Sequence, residues 1–341
     1  MPVLNALKQR IPELRLTIRC AAPRTLLENL VSSEFEHLCE ATDFGMHMAS
    51  AVEVLLQESA QNYVSFHRDW DSRVAQESEL LRKIAPDLVL SNVSYLTLAA
   101  ASQAGIPALG MCSLNWADIF WHYCSETPGL EQIHAQMLRA YNSANRFIRL
   151  QPAMPMAGLQ NLREIGTVAS KGVNRRAEID AMLGLEPDCK LVLVSMGGMH
   201  LQLPMDQWPR ISGVRWVVRQ SWGVRHPDTI EQEVLGMRYI DVLSSCDALL
   251  TKPGYGNFSE AGVNGIPVLY VSRRDWPEER CLVEWLQQRG RCQEVQRAQL
   301  ECGDLGAALQ ALWHQAPKPP VMPDGIAQAA DIIGQYLMAA I

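Results

Sequence analysis

The sequence has no apolar stretch long enough to cross a membrane, no CxxC pair among its nine cysteines, and no HxxxH or HxH spacing among its eight histidines. Each absence removes a class. A membrane helix needs about 20 consecutive apolar residues, so no transmembrane segment is expected, and the opening residues carry no signal-peptide pattern. Cysteines scattered through 341 residues are not needed as disulfide staples and read as reduced thiols of a cytoplasmic protein. Without paired histidines or an acidic cluster at ligand spacing, no metal site and no cofactor are expected. A GxSxG elbow and a Walker GxxxxGK[ST] loop are missing too, which disfavours α/β-hydrolase and P-loop kinase chemistry. Lys and Arg number 30 against 37 Asp and Glu, a net charge of −7, so no nucleic-acid partner is expected.

What the chain does have is alternation. Val3, Leu4, Leu7 and Ile11 open it with helical spacing, and residues 14–20 read as a strand, 24–31 as a helix and 35–39 as a strand. After a turn at 43–47 comes a long helical region over 52–84, then strands at 87–92 and 107–112 flanking a small-residue helix at 95–104. A helix-to-strand step at 141–150 leads to a Pro- and Met-rich linker at 152–155, and the same rhythm resumes, with strands at 190–194, 214–219, 248–251 and 291–295. Helices are predicted over 175–183, 281–288, 305–313 and 326–337. This is the rhythm of parallel sheets in an α/β protein. The length suits two domains, divided here into 1–155 and 156–341.

The most informative stretch is Lys252-Pro253-Gly254-Tyr255-Gly256-Asn257-Phe258-Ser259-Glu260. An apolar strand stops at a glycine-rich turn, and a helix begins near Asn257 or Ser259. Glycines let backbone N–H groups come close to a diphosphate, and a helix start presents unpaired N–H groups with a positive dipole end. Glu260 can then accept hydrogen bonds from a ribose. The alternative is an ordinary strand-to-helix connection with a solvated carboxylate.

Together with Gly265-Ile266-Pro267 and the polar 273–280 segment, this stretch resembles the donor-site signature of GT-B glycosyltransferases. It is similar to the N-acetylglucosaminyltransferase of peptidoglycan lipid-precursor synthesis, and nearer to a group that includes the amino-terminal domain of plant arabinose kinases. The resemblance implies two Rossmann-like domains with a cleft between them, and a nucleotide diphosphate sugar as donor. By position it places Gly254, Gly256 and Asn257 near phosphate, Tyr255 among the donor-binding residues, Glu260 at ribose, and Glu279 and Arg280 near the sugar. The attached kinase half of the arabinose kinases is missing. So are the first strand and the Gly- and His-containing loop with which such transferases begin, which would leave two strands of the first sheet facing an empty slot. A further implication is that the terminal helix crosses back to the first domain.

A second segment, Ser113-Leu114-Asn115-Trp116-Ala117-Asp118-Ile119-Phe120, resembles an aromatic segment of the arabinose-kinase-like group. It leaves the carboxyl end of a strand. Asn115 and Trp116 are therefore candidates to face an acceptor, and Asp118 to deprotonate its hydroxyl. The aromatics equally suit a core cap. Gly197 and Gly198 end another strand in a diglycine turn, and Arg219 stands at the end of the next, where it can neutralise phosphate or simply lie exposed. The reading is a metal-independent glycosyltransferase moving a sugar to an unidentified hydroxyl acceptor. Its rival is a nucleotide-sugar-binding or regulatory protein of the same fold that has lost catalysis; a nucleotide-sugar epimerase ranks third.

Overall fold

The computed structural model describes residues 1–50, 53–197, 203–273 and 275–339. The chain forms two compact units, one of Met1–Met48, Val54–Val168 and Asp324–Ile341, the other of Ala49–Glu53 and Ala169–Pro323.

In the first unit the strands are β1 (Thr17–Arg19), β2 (Glu36–Leu38), β5 (Val89–Ser91), β6 (Ala108–Cys112), β7 (Arg146–Leu150) and β8 (Leu162–Ile165). The short strands β3 (Met48–Ser50) and β4 (Glu53–Val54), whose residues are divided between the two units, pair with each other. β5 to β8 make one parallel sheet in sequence order, whereas β1 and β2 pair in parallel as a separate ribbon. The ribbon covers a small core of Leu27, Val31 and Phe35. Arg19 fastens it to the helix Trp70–Ile84, its guanidinium donating to both oxygens of buried Glu77 at 2.6 Å and to Glu40 at 2.9 Å. The helical region predicted over 52–84 is two helices, Leu56–Arg68 and Trp70–Ile84, broken at Asp69, where the backbone leaves helical geometry. The break lets Phe66, His67 and Trp70 pack as a ring cluster against Tyr95. Val52 lies outside the described residues. The helix Gly325–Ala339 belongs to this unit, with Asp331 ion-paired to Arg10 at 2.5 Å.

The second unit holds β9 (Lys190–Val194), β10 (Val214–Val218), β11 (Thr229–Glu231), β12 (Ala248–Thr251), β13 (Val268–Val271) and β14 (Cys292–Val295). All pair in parallel, in the order β11-β10-β9-β12-β13-β14. Numbered within the unit this is 3-2-1-4-5-6, the doubly wound dinucleotide-binding order. β9, β12 and β13 are near-continuous buried apolar runs because helices cover both faces. One core gathers Leu191, Leu193, Leu249 and Phe258; the other gathers Val192, Trp216, Leu250 and Leu309.

Candidate donor site and hydroxyl-side loops

In a doubly wound sheet the crossovers leave β9 and β12 in opposite directions, which opens a crevice at their carboxyl ends. Two predicted glycine turns sit there. Gly197 follows β9 at φ +73°, a conformation that favours glycine, and a Cβ at that position would lie 3.9 Å from Nζ of Lys252. Gly198 lies outside the described residues. After β12, the helix Tyr255–Asn264 begins with Gly254 as its N-cap, so no side chain competes for the N–H groups of its first turn. Around Gly256 an added Cβ would meet nothing within 4 Å. The helix thus begins two residues earlier than the nearer of the two expected positions, because the extended Gly254 is itself the cap.

Asn257 does not offer its side chain to a ligand. Its Nδ2 donates to the Ser195 carbonyl at 2.9 Å and to Thr251 Oγ1 at 2.6 Å, while its Oδ1 accepts from the Tyr239 hydroxyl at 3.1 Å. One amide therefore clamps the β9 turn, the end of β12 and the helix Tyr239–Ser245 together, so the phosphate contact expected of Asn257 falls to its backbone N–H alone. Tyr255 is half-buried at the first helical position and packs against the core. Glu260 stands one turn on, half-buried, with its carboxylate taking no hydrogen bond or ion pair among the described residues. Burial pushes its carboxyl up to about 7. Arg219 is exposed at the end of β10, near enough to Tyr239 for the two to interact electrostatically.

Lys252, in the turn after β12, carries a charge that the sequence pattern assigns to no ligand. It is buried, and its ammonium is brought down to about 8 by desolvation first and repulsion from Arg273 second, against a smaller pull from Glu278. Lys252, Arg273 and Glu278 form a buried charged group at the ends of β12 and β13. The two residues expected near the sugar are placed differently. Glu279 is buried and accepts from Ser272 Oγ and the Arg273 backbone N–H, so it holds its own loop. Arg280 is 86% exposed and paired with Glu284 one turn along the helix. The helix Glu279–Arg289 sets this phase.

In the first unit, Asn115 is buried as the N-cap of the helix Trp116–Cys124: its Oδ1 accepts from the Asp118 N–H at 2.8 Å and its Nδ2 donates to Asp118 Oδ2 at 3.0 Å. Asp118 is half-buried; desolvation raises its carboxyl pKa, opposed by the Asn115 bond and by His134. Trp116 is tied rather than loose, its indole Nε1–H donating to Asp43 Oδ2 at 2.7 Å. A groove of about 760 Å³ between β7–β8 and the helix Gly325–Ala339 contains none of these residues.

No family model matches the chain. L-arabinokinase of Arabidopsis thaliana is 25% identical over 250 residues, 72% of this chain and 24% of the kinase, so the chain spans about a quarter of that relative's length. Among solved structures, the calicheamicin glycosyltransferase CalG4 superposes with a TM-score of 0.59 at 15% identity, covering 99% of this chain and 90% of that one. UGT89C1 of Arabidopsis thaliana, solved with UDP, gives 0.57 at 14% over 98% and 95% of the two chains. The glycosyltransferase VinC, solved with dTDP, gives 0.52 at 16% over 100% and 92%. At such identities the likeness is one of fold. The fold is GT-B, α/β with two Rossmann-like domains.

Proposed function

We propose that the protein is a glycosyltransferase that takes a sugar from a nucleoside diphosphate donor held on the second unit and passes it to a hydroxyl acceptor held on the first. The observation that carries the reading is Glu260: a half-buried carboxylate without a partner among the described residues, one turn into a helix whose start is capped only by glycine. Ribose hydroxyls would satisfy the carboxylate, and the first-turn N–H groups with Gly197 and Lys252 would take the diphosphate. Lys252, Arg273 and Arg219 supply positive charge for the leaving diphosphate, which supports a reaction without a metal. The neighbours solved with UDP and dTDP support a pyrimidine nucleotide. The nine cysteines, none of them in a disulfide, support a cytoplasmic setting.

A second reading, a nucleotide-sugar-binding protein without turnover, is favoured by the engagement of Glu279 and Asp118 in their own local structure. Calorimetric titration of UDP, dTDP, ADP and GDP into the wild type and Glu260→Ala tests the donor site. The expected result is micromolar binding of UDP or dTDP to the wild type, weakened at least tenfold in the variant. Absence of binding by all four overturns both readings. Release of nucleotide from the matching sugar donor then separates transferase from binder.

A further inference from the structure

A donor site alone does not deprotonate the acceptor, and the turn at 43–47, to which the sequence pattern assigns no chemistry, provides a group that can. We propose that Asp43, rather than Asp118, is the general base toward the acceptor hydroxyl. Three loops, one after β2 of the ribbon and two after the parallel neighbours β5 and β6, are bolted to one another. The Ser94 hydroxyl donates to the Thr42 carbonyl at 3.1 Å. Tyr141, fully buried, donates its hydroxyl to the Val93 carbonyl at 2.8 Å and accepts from the Trp116 N–H at 3.0 Å. The Trp116 indole then holds Asp43 Oδ2 at 2.7 Å. Gly45 permits that approach, since a Cβ there would lie 2.7 Å from Trp116 Cη2.

The result is a carboxylate held against the loops that leave the carboxyl ends of β5 and β6, the end of a parallel sheet at which ligands bind. No Lys, Arg or His of the described residues forms an ion pair with Asp43, and burial raises its carboxyl pKa against the pull of the indole. Beside it the Tyr63 hydroxyl is buried without a hydrogen-bond partner. Asp118 differs in kind, because its carboxylate closes a cap with Asn115.

The step balances. The acceptor hydroxyl gives its proton to the Asp43 carboxylate while its oxygen forms the new bond to the anomeric carbon. The bond from that carbon to the diphosphate oxygen breaks, its electron pair leaving on the diphosphate, and the proton passes from Asp43 to solvent.

This rests on the transferase reading, and the test separates the two. Asp43→Asn keeps an oxygen for the indole to donate to and removes only the basicity. With UDP-glucose or dTDP-glucose as donor and quercetin or water as acceptor, the expected result is a fall in kcat of about 100-fold or more, with nucleotide Kd within twofold of wild type and an unchanged melting temperature. Asp43→Glu is expected to restore part of kcat, and Trp116→Phe to lower it about tenfold. A kcat for Asp43→Asn within threefold of wild type overturns the assignment. So does a greater loss from Asp118→Asn than from Asp43→Asn, or a wild type that binds nucleotide yet turns over neither donor. Failure of the wild type to bind any of the four nucleoside diphosphates instead sinks the donor site.

Discussion

Replacing Glu260 with Gln is expected to act in opposite directions on the empty and the loaded protein. The carboxyl lies at about 7 against an ordinary 4.5, so the fold resists its ionisation. Below about pH 4.5 the group is neutral folded and unfolded, and it takes nothing from stability. As pH rises through the window to about 7, the unfolded chain ionises first and stability is lost; above that the full penalty is present. A shift of this size corresponds to about 3 kcal/mol at most, and solvent reaching the half-buried side chain reduces it toward about 1–2 kcal/mol. At pH 8 the Gln variant without nucleotide should therefore melt several degrees higher than wild type. Nucleotide binding runs the other way. Ribose hydroxyls donate to the ionised carboxylate, of which only about 3% exists at pH 5.5, so apparent UDP affinity should strengthen about 30-fold between pH 5.5 and 8. The variant should lose that slope and bind about 10- to 100-fold more weakly at pH 8. Scanning fluorimetry and calorimetry across this range read both effects. A Gln variant that melts lower than wild type at pH 8, or a wild-type affinity flat with pH, would refute the reasoning.

Lys252→Met should weaken UDP binding by about 10- to 100-fold; in the wild type, affinity should decline above pH 8 as the ammonium gives up its proton, and calorimetry at pH 7.5 and 9 checks both. Asn257→Ala leaves the Ser195 carbonyl and the Tyr239 hydroxyl without their partner, a loss of about 1–3 kcal/mol that urea unfolding would register. Glu77→Ala removes the buried partner of the Arg19 guanidinium, leaving it only the exposed Glu40, and takes away one of the two acceptors of the Thr97 hydroxyl. Its expected destabilisation of about 3–5 kcal/mol is measurable by the same denaturation, and Glu77→Gln should recover part of it.

The central strand-to-helix unit was legible because local chemistry determines it. Ala248–Thr251 is apolar on both faces, and Lys252-Pro253-Gly254 stops it. Two of the four edge strands of the larger sheets, β8 and β11, were not legible. β8 is Leu-Arg-Glu-Ile with two exposed charges, and β11 is the three-residue Thr-Ile-Glu, so neither shows an apolar run or clean alternation. Site residues divided along similar lines. Glu260 follows from its spacing to the glycine turn, but the partners of Asn257 come from three separate elements, and no local pattern reports them. The direction Glu279 takes depends on where a helix begins, a one-residue matter that composition leaves undetermined. Asp43 carries no motif at all, since its holder, Trp116, is 73 positions away.

The ribbon of β1 and β2 shares no ladder with its neighbours among the described residues, and its interior is a handful of side chains. Cooperativity is transmitted through such ladders and shared cores, so this corner should open on its own. Dissolved in heavy water, the amides of Thr17–Arg19 and Glu36–Leu38 would pick up deuterium early, long before those of β9 and β12. A protease given the native protein would find its first cut there.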